Sequence, residues 1–295
     1  MIFSLRHETR HAYAREVDVA AHLVHLTPLQ TRWQKVLQSR VTMTPEPSRQ
    51  VTEPDCFGNS TTWAFLDSPH ETFDVVLEAV VDVRQRAAPL PEATPPWEDV
   101  ATAARGGGTA HMAAEFVYTS PMVTPFPAVR DYAAACFPAR RTAFAAVHEL
   151  TLRIQREFAF RAGVTDVGTP IAKVLAQRAG VCQDFTHLMI AALRSFGLPA
   201  RYASGYIRTR PPPGGVARRG ADQSHAWVSC WLGEGTGWVD FDPTNGLIVS
   251  DEHVVLAYGR DYSDVSPVSG VILGGGKQTV EVGVDLAPME KQVAT

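Results

Sequence analysis

No apolar run in the chain approaches the roughly 18 residues that a membrane-spanning helix needs, so the sequence carries no ordinary transmembrane segment. A marked excess of either sign of charge is also lacking, with 27 Lys and Arg against 31 Asp and Glu. A formal net charge of −4 gives no whole-protein attraction to nucleic acid or to an anionic membrane. Cysteine is limited to Cys56, Cys136, Cys182 and Cys230, and no two form a C-x-x-C pair. That argues against a zinc knuckle or a thioredoxin-type redox site, and no metal or cofactor is expected. The first residues lack a basic stretch followed by an apolar one, so the expectation is no signal peptide and a cytoplasmic protein. In that reducing compartment all four cysteines would be free thiols.

What is present suffices for two domains. The chain has 295 residues, of which 45% are hydrophobic, enough to fill a sizeable core. Residues 1–88 read as an antiparallel β domain. Phe3, Leu5, His7, Thr9, His11 and Tyr13 alternate with the period of a half-buried strand. Further strand patterns run over 36–44, 61–66 and 71–83, with a turn at Asp55–Asn59. Residues 89–127 are dense in Pro and Gly and read as a linker or extended wrap, with a short helix near Trp97–Ala104. Residues 128–288 form the expected catalytic domain, closed by an alternating strand over 279–286. Residues 289–295 read as a frayed tail.

Within the catalytic domain, Thr142–Phe158 carries a helical apolar stripe. Another helix is expected over 171–178, with Thr169 as its cap and Pro170 at its first position. From Phe185 the apolar residues Phe185, Leu188, Met189, Ala192, Leu193 and Phe196 follow helical spacing. Gly197 and Pro199 end that helix. Cys182 falls in its first turn, where unpaired backbone N–H groups and the helix dipole favour a negative sulfur. A lone cysteine is nevertheless more often structural than reactive.

Two strands, His225–Trp231 and Trp238–Asp242, shift that balance. Closing the hairpin around residues 232–237 pairs Trp231 with Trp238. His225 and Asp242 then become diagonal neighbours, about 7 Å apart at Cα. Asp240 shares their face but lies further from His225. A helix-start cysteine, a strand histidine and a strand-end aspartate supply a nucleophile, its base and the group that orients the base.

The blocks G-V-C-Q-D-F (180–185), S-H-A-W (224–227) and G-W-V-D-F-D-P-T-N (237–245) resemble the Cys, His and Asp motifs of the transglutaminase-like superfamily. Asp55-Cys56-Phe57-Gly58-Asn59 resembles a motif of its bacterial branch, with Cys56 in place of the usual Tyr. Gly259–Val265 resembles a further block of that branch. The resemblance implies an α+β protein: an N-terminal antiparallel β domain, then a papain-like catalytic domain with its cysteine helix packed on an antiparallel sheet. It implies a Cys182–His225–Asp242 triad, with Asp242 rather than Asp240 as the acid, and a structural role for Cys56.

Secondary candidates are Gln183 as an oxyanion donor, beside the better-placed Cys182 backbone N–H, and Trp227 and Trp238 as cleft walls. Asp184 is expected to cap the helix, His187 to be packed and hydrogen-bonded, and Cys230 to be inert. The Arg-rich stretch 208–222 reads as a solvated loop or a lid. The expected partner is an amide-bearing peptide or protein; neither nucleic acid nor membrane is expected, and no oligomeric state is specified. Hydrolysis through a thioacyl intermediate is favoured over transamidation or deamidation, since no calcium-loop pattern is present. A non-catalytic binding module is the reading from another class.

Overall fold

The computed structural model describes residues 1–106, 111–208 and 224–289. Five strands open the chain: β1 (Ile2–Val24), β2 (Gln34–Thr44), β3 (Arg49–Pro54), β4 (Ser60–Leu66) and β5 (His70–Val83). The alternation read from Phe3 to Tyr13 is the inner face of β1, where Phe3, Leu5, His7, Thr9 and Tyr13 are buried. The register of β1 shifts between Ala12 and Val17, and beyond that point the strand pairs with β4.

Helices follow: α1 (Trp97–Arg105), α2 (His111–Ala114), α3 (Pro127–Ala133) and α4 (Ala143–Glu157). The Pro/Gly-rich stretch is therefore partly helical, and it buries Val100, Ala101, Ala104 and Val123 in the main core. A short parallel pair, β6 (Ala159–Phe160) and β7 (Ala179–Gly180), brackets α5 (Ile171–Gln177). Pro170, not Thr169, caps α5; the Thr169 hydroxyl instead bonds Asp166 at 3.0 Å. Then come α6 (Cys182–Ser195), β8 (Ala200–Ile207), β9 (Ser224–Trp231), β10 (Trp238–Asp242), β11 (Leu247–Ile248) and β12 (His253–Gly259). The chain returns through β13 (Val268–Gly274) and β14 (Gln278–Met289).

Strands β8 to β12 form an antiparallel sheet in the order β11-β10-β9-β8-β12. Trp231 pairs with Trp238, the register expected from the hairpin loop. Ala226, Val228, Cys230 and Phe241 share the main apolar core with the buried face of α6. Trp227 joins a separate cluster with Ala203, Val249, Val255 and Tyr258. The alternating strand period thus gives the sheet two unlike faces.

One expectation is corrected. The strand pattern over 279–286 is real, but β14 pairs with β1 along Ile2–Tyr13, and β13 pairs with β1 over Val17–Val24. The chain's last strands complete the N-terminal sheet and do not close the catalytic one. Alternation identifies a strand; it does not name its partner.

Side-chain amides tie the two sheets together. Gln34 donates to the Val255 carbonyl at 2.7 Å and accepts from the Val255 N–H at 2.8 Å. Asn59, at the end of the Asp55–Asn59 turn, makes the same pair of bonds to Tyr258, at 2.7 and 2.8 Å. Each amide satisfies a donor and an acceptor on β12 as a neighbouring strand would. Cys56 in that turn is exposed.

Candidate active site

Cys182 is the first residue of α6. Asp184 fixes the helix start: its Oδ2 accepts from the Val181 N–H at 2.8 Å and from the Thr165 hydroxyl at 2.7 Å. This is half of a capping box, an N3 carboxylate reaching back to the N-cap amide. Gly180 makes room for it, since a Cβ there would stand 2.6 Å from Asp184 Oδ2.

The hairpin delivers the other two residues. His225 Nε2 lies 2.8 Å from Asp242 Oδ2, with both side chains buried. With Nε2 engaged, Nδ1 is the ring nitrogen left free to serve Cys182, which also acts on the ring electrostatically. Burial opposes a charge on His225, but its interactions with Asp242 and Cys182 outweigh that and raise its pKa to about 10. Asp242 is held well below the ordinary carboxylate range: burial opposes its charge, and the two histidines at its Oδ2 override that cost.

The second of those histidines, His253, was not anticipated from the sequence. Its Nε2 stands 3.3 Å from Asp242 Oδ2. Burial lowers its pKa, and the nearby His225 charge adds to that, so His253 is the neutral ring of the two. Asn245 Nδ2 donates to the same oxygen at 2.7 Å, and the Thr244 and Asn245 N–H groups donate to Oδ1 at 2.9 and 3.1 Å. The turn begun by Pro243 thus folds back to surround the carboxylate. The only signal for His253 lay in its place just before the Gly259–Val265 block. His225, Asp242 and His253 also form the one group of potential metal ligands found among the described residues. Both imidazole Nε2 atoms are spent on the carboxylate, as suits a hydrogen-bonded triad of side chains.

The secondary candidates divide. Trp227 is fully buried with its ring stacked 6.1 Å from that of His225, so it backs the histidine and is not an exposed wall. Gln183 turns its amide to the Val167 carbonyl at 3.1 Å. Trp238 packs against Phe116 and Arg201, away from Cys182. His187 accepts from the Tyr262 N–H at 3.2 Å, and burial lowers its pKa to about 4. Cys230 is buried, which pushes its thiol well up. Asp240 meets Arg86 at 2.6 Å, not His225. Of the 208–222 loop only Arg208 lies within the described residues.

Comparison with known proteins agrees with this architecture. Residues 3–82 match the bacterial transglutaminase-like N-terminal region, and residues 130–243 match the transglutaminase-like superfamily core. An uncharacterized protein of Mycobacterium tuberculosis is 36% identical over 98% of this chain and 93% of its own length. One from Mycobacterium leprae is 29% identical over 95% of this chain and 96% of its own. A protein-glutamine gamma-glutamyltransferase of Pseudomonas aeruginosa matches at 37% identity over 68 residues, 23% of this chain and 10% of that protein. The solved structure of a "putative cysteine protease" from Cytophaga hutchinsonii superposes with a TM-score of 0.74 at 21% identity, covering 100% of this chain and 92% of that one. It shares the fold. The chain is a member of the transglutaminase-like superfamily, with a papain-like core and the bacterial transglutaminase-like N-terminal region.

Proposed function

We propose that the protein is a cysteine-nucleophile enzyme that cleaves an amide or isopeptide bond of a peptide or protein, through a thioacyl intermediate on Cys182. The observation that carries this reading is the buried His225 ring, bonded to Asp242 at 2.8 Å and within electrostatic reach of Cys182 at the start of α6. With the thiol proton held on His225 as an imidazolium, the sulfur adds to the substrate carbonyl carbon. The backbone N–H of Cys182, unpaired within the helix as a first-turn amide, is the donor assigned to the oxyanion. His225 then protonates the departing amine as the tetrahedral adduct collapses to a thioester. Water, its proton taken by His225, attacks the thioester and releases the acid and the free thiol. Asp242 keeps the imidazole in one orientation and supports its charge throughout.

Transamidation is the second reading, favoured by the 68-residue match to the Pseudomonas aeruginosa glutamyltransferase. An amine would then replace water in the last step. Incubating the protein with a glutamine-containing peptide, with and without a primary amine, separates the two. Free acid in both mixtures supports hydrolysis; product formed only as the amine adduct overturns it. Iodoacetamide labelling tests the chemistry itself. If Cys182 reacts near pH 6 no faster than a free thiol, and His225→Ala changes nothing, the protein is a binding module.

A further inference from the structure

Away from Cys182, where the N-terminal unit meets the core sheet, the protein forms a half-open cavity of about 350 Å³. Arg86, from the segment after β5, and Arg201, from β8, line it together with Trp33, Trp238, Asp240 and Tyr258. The guanidinium groups of Arg86 and Arg201 are incompletely used. Arg86 Nη1 donates to Asp240 Oδ2 at 2.6 Å, but Arg86 Nε and Nη2 are buried without a hydrogen-bond partner. Arg201 is held with its guanidinium carbon 4.1 Å from the Trp238 ring centre and 3.7 Å from that of Tyr258, and its buried Nε likewise has no partner.

Three buried, unpaired donors on permanently charged groups call for acceptors, because a buried N–H without one forfeits its hydration for nothing. Charge points the same way. Asp240 balances only one of the two guanidinium ions, and its Oδ2 is already taken by Arg86, the Trp227 Nε1–H at 3.3 Å and the Tyr258 hydroxyl at 3.2 Å. The inner part of the cavity is left with one uncompensated guanidinium, flanked by aromatic rings, while the exposed Arg32 adds further positive charge at the rim.

We infer that this cavity binds a small organic monocarboxylate, its carboxylate between Arg86 and Arg201 and its apolar body against Trp238 and Trp33. A monoanion matches the one uncompensated inner guanidinium, and the planar carboxylate matches the guanidinium fork. The volume is at the small end of ligand pockets. The site draws one arginine from each structural unit, so it exists only while the two are docked. It does not depend on the reaction at Cys182.

Isothermal titration of the full-length protein with benzoate, benzamide and inorganic phosphate tests the assignment. Saturable benzoate binding is expected, with no benzamide binding and weaker phosphate binding. Arg201→Met should weaken benzoate by about tenfold or more, as loss of a charge-assisted bond would. Cys182→Ala should leave benzoate binding unchanged. Absence of benzoate binding, equal binding of benzamide, tighter binding of phosphate, or full benzoate affinity in folded Arg201→Met would each overturn the proposal. Crystals of the unaltered protein soaked in benzoate give the same reading without a variant. Ligand density between Arg86 and Arg201 is expected, and density only beside Cys182 would sink the assignment.

Discussion

Asp240 and Asp242 sit two residues apart on β10, both buried, and their surroundings make them opposites. Asp242 is met by two imidazoles and a turn of backbone amides. Asp240 is met by Arg86, with the Trp227 indole and the Tyr258 hydroxyl around it. Both carboxylates are held ionised against burial. The cations differ in kind: an imidazolium can surrender its proton in aqueous conditions, and a guanidinium cannot. One end of this sheet face therefore holds a titratable ring, the base of the proposed reaction. The other end is a fixed charge pair that joins two structural units. Trp227 lies between them, stacked on His225 and bonded to Asp240.

The largest separation of the two ends should come from replacing each aspartate by asparagine. Asp242→Asn keeps the shape but can favour the wrong imidazole tautomer, and turnover should fall by about 10³- to 10⁴-fold in a folded protein. Cys182→Ala should remove thioester formation altogether, as seen by mass spectrometry of the acylated protein. Asp240→Asn should act on stability instead, since it strips the partner from a buried guanidinium. A loss of about 3–5 kcal/mol in denaturant unfolding is expected. If folded Asp240→Asn slowed turnover as much as Asp242→Asn, the division between a proton-moving end and a structural end would fail.

His253 sharpens the comparison at smaller scale. It is the neutral imidazole at Asp242, a positioning residue that fills one acceptor site of the carboxylate. His253→Phe should reduce turnover by roughly tenfold, the scale of one hydrogen bond to a charged group. His253→Gln, which keeps an N–H donor, should recover part of the loss. Equal loss in both variants would point to packing against Trp227, whose ring centre is 5.0 Å away, in place of the bond to Asp242.

The Asp242 end was legible in the sequence because its determinants are local. Helical spacing placed Cys182 at a helix start, and a six-residue hairpin loop fixed the register of Trp231 on Trp238 and hence of His225 near Asp242. The Asp240 end was not. Arg86 follows a strand in a Pro-rich stretch, Arg201 begins another strand, and no sequence spacing links them. The same reason hid the pairing of β14 with β1, whose Ile2 lies opposite Met289. His253 was missed because it touches Asp242 through the tertiary fold, across two strands that lie between β10 and β12 in the sheet. Gln183 misled in the other direction. Its place beside Cys182 suggested an oxyanion donor, but a neighbouring loop carbonyl claims its amide.

Stability against pH gives the finest comparison. His225 has a folded pKa of about 10 against an unfolded value near 6.5. A raised pKa means that its contribution is complete below about pH 6.5 and is lost as pH rises through 10. Over that window the His225 imidazole, taken by itself, holds one more proton in the folded state, a slope of about 1 kcal/mol per pH unit. The Arg86–Asp240 end contributes no such slope there, because neither group changes charge. His7 and His22 in the N-terminal sheet and His187 in the core run the other way. Burial lowers each to about 4, so they cost stability as pH falls from about 6.5 toward 4. Denaturant titrations at pH 7, 8 and 9 should show wild-type stability declining, with a shallower decline in His225→Gln. A slope unchanged in that variant would mean that the alkaline loss arises elsewhere, and the charged imidazole would no longer distinguish the Asp242 end from the Asp240 end.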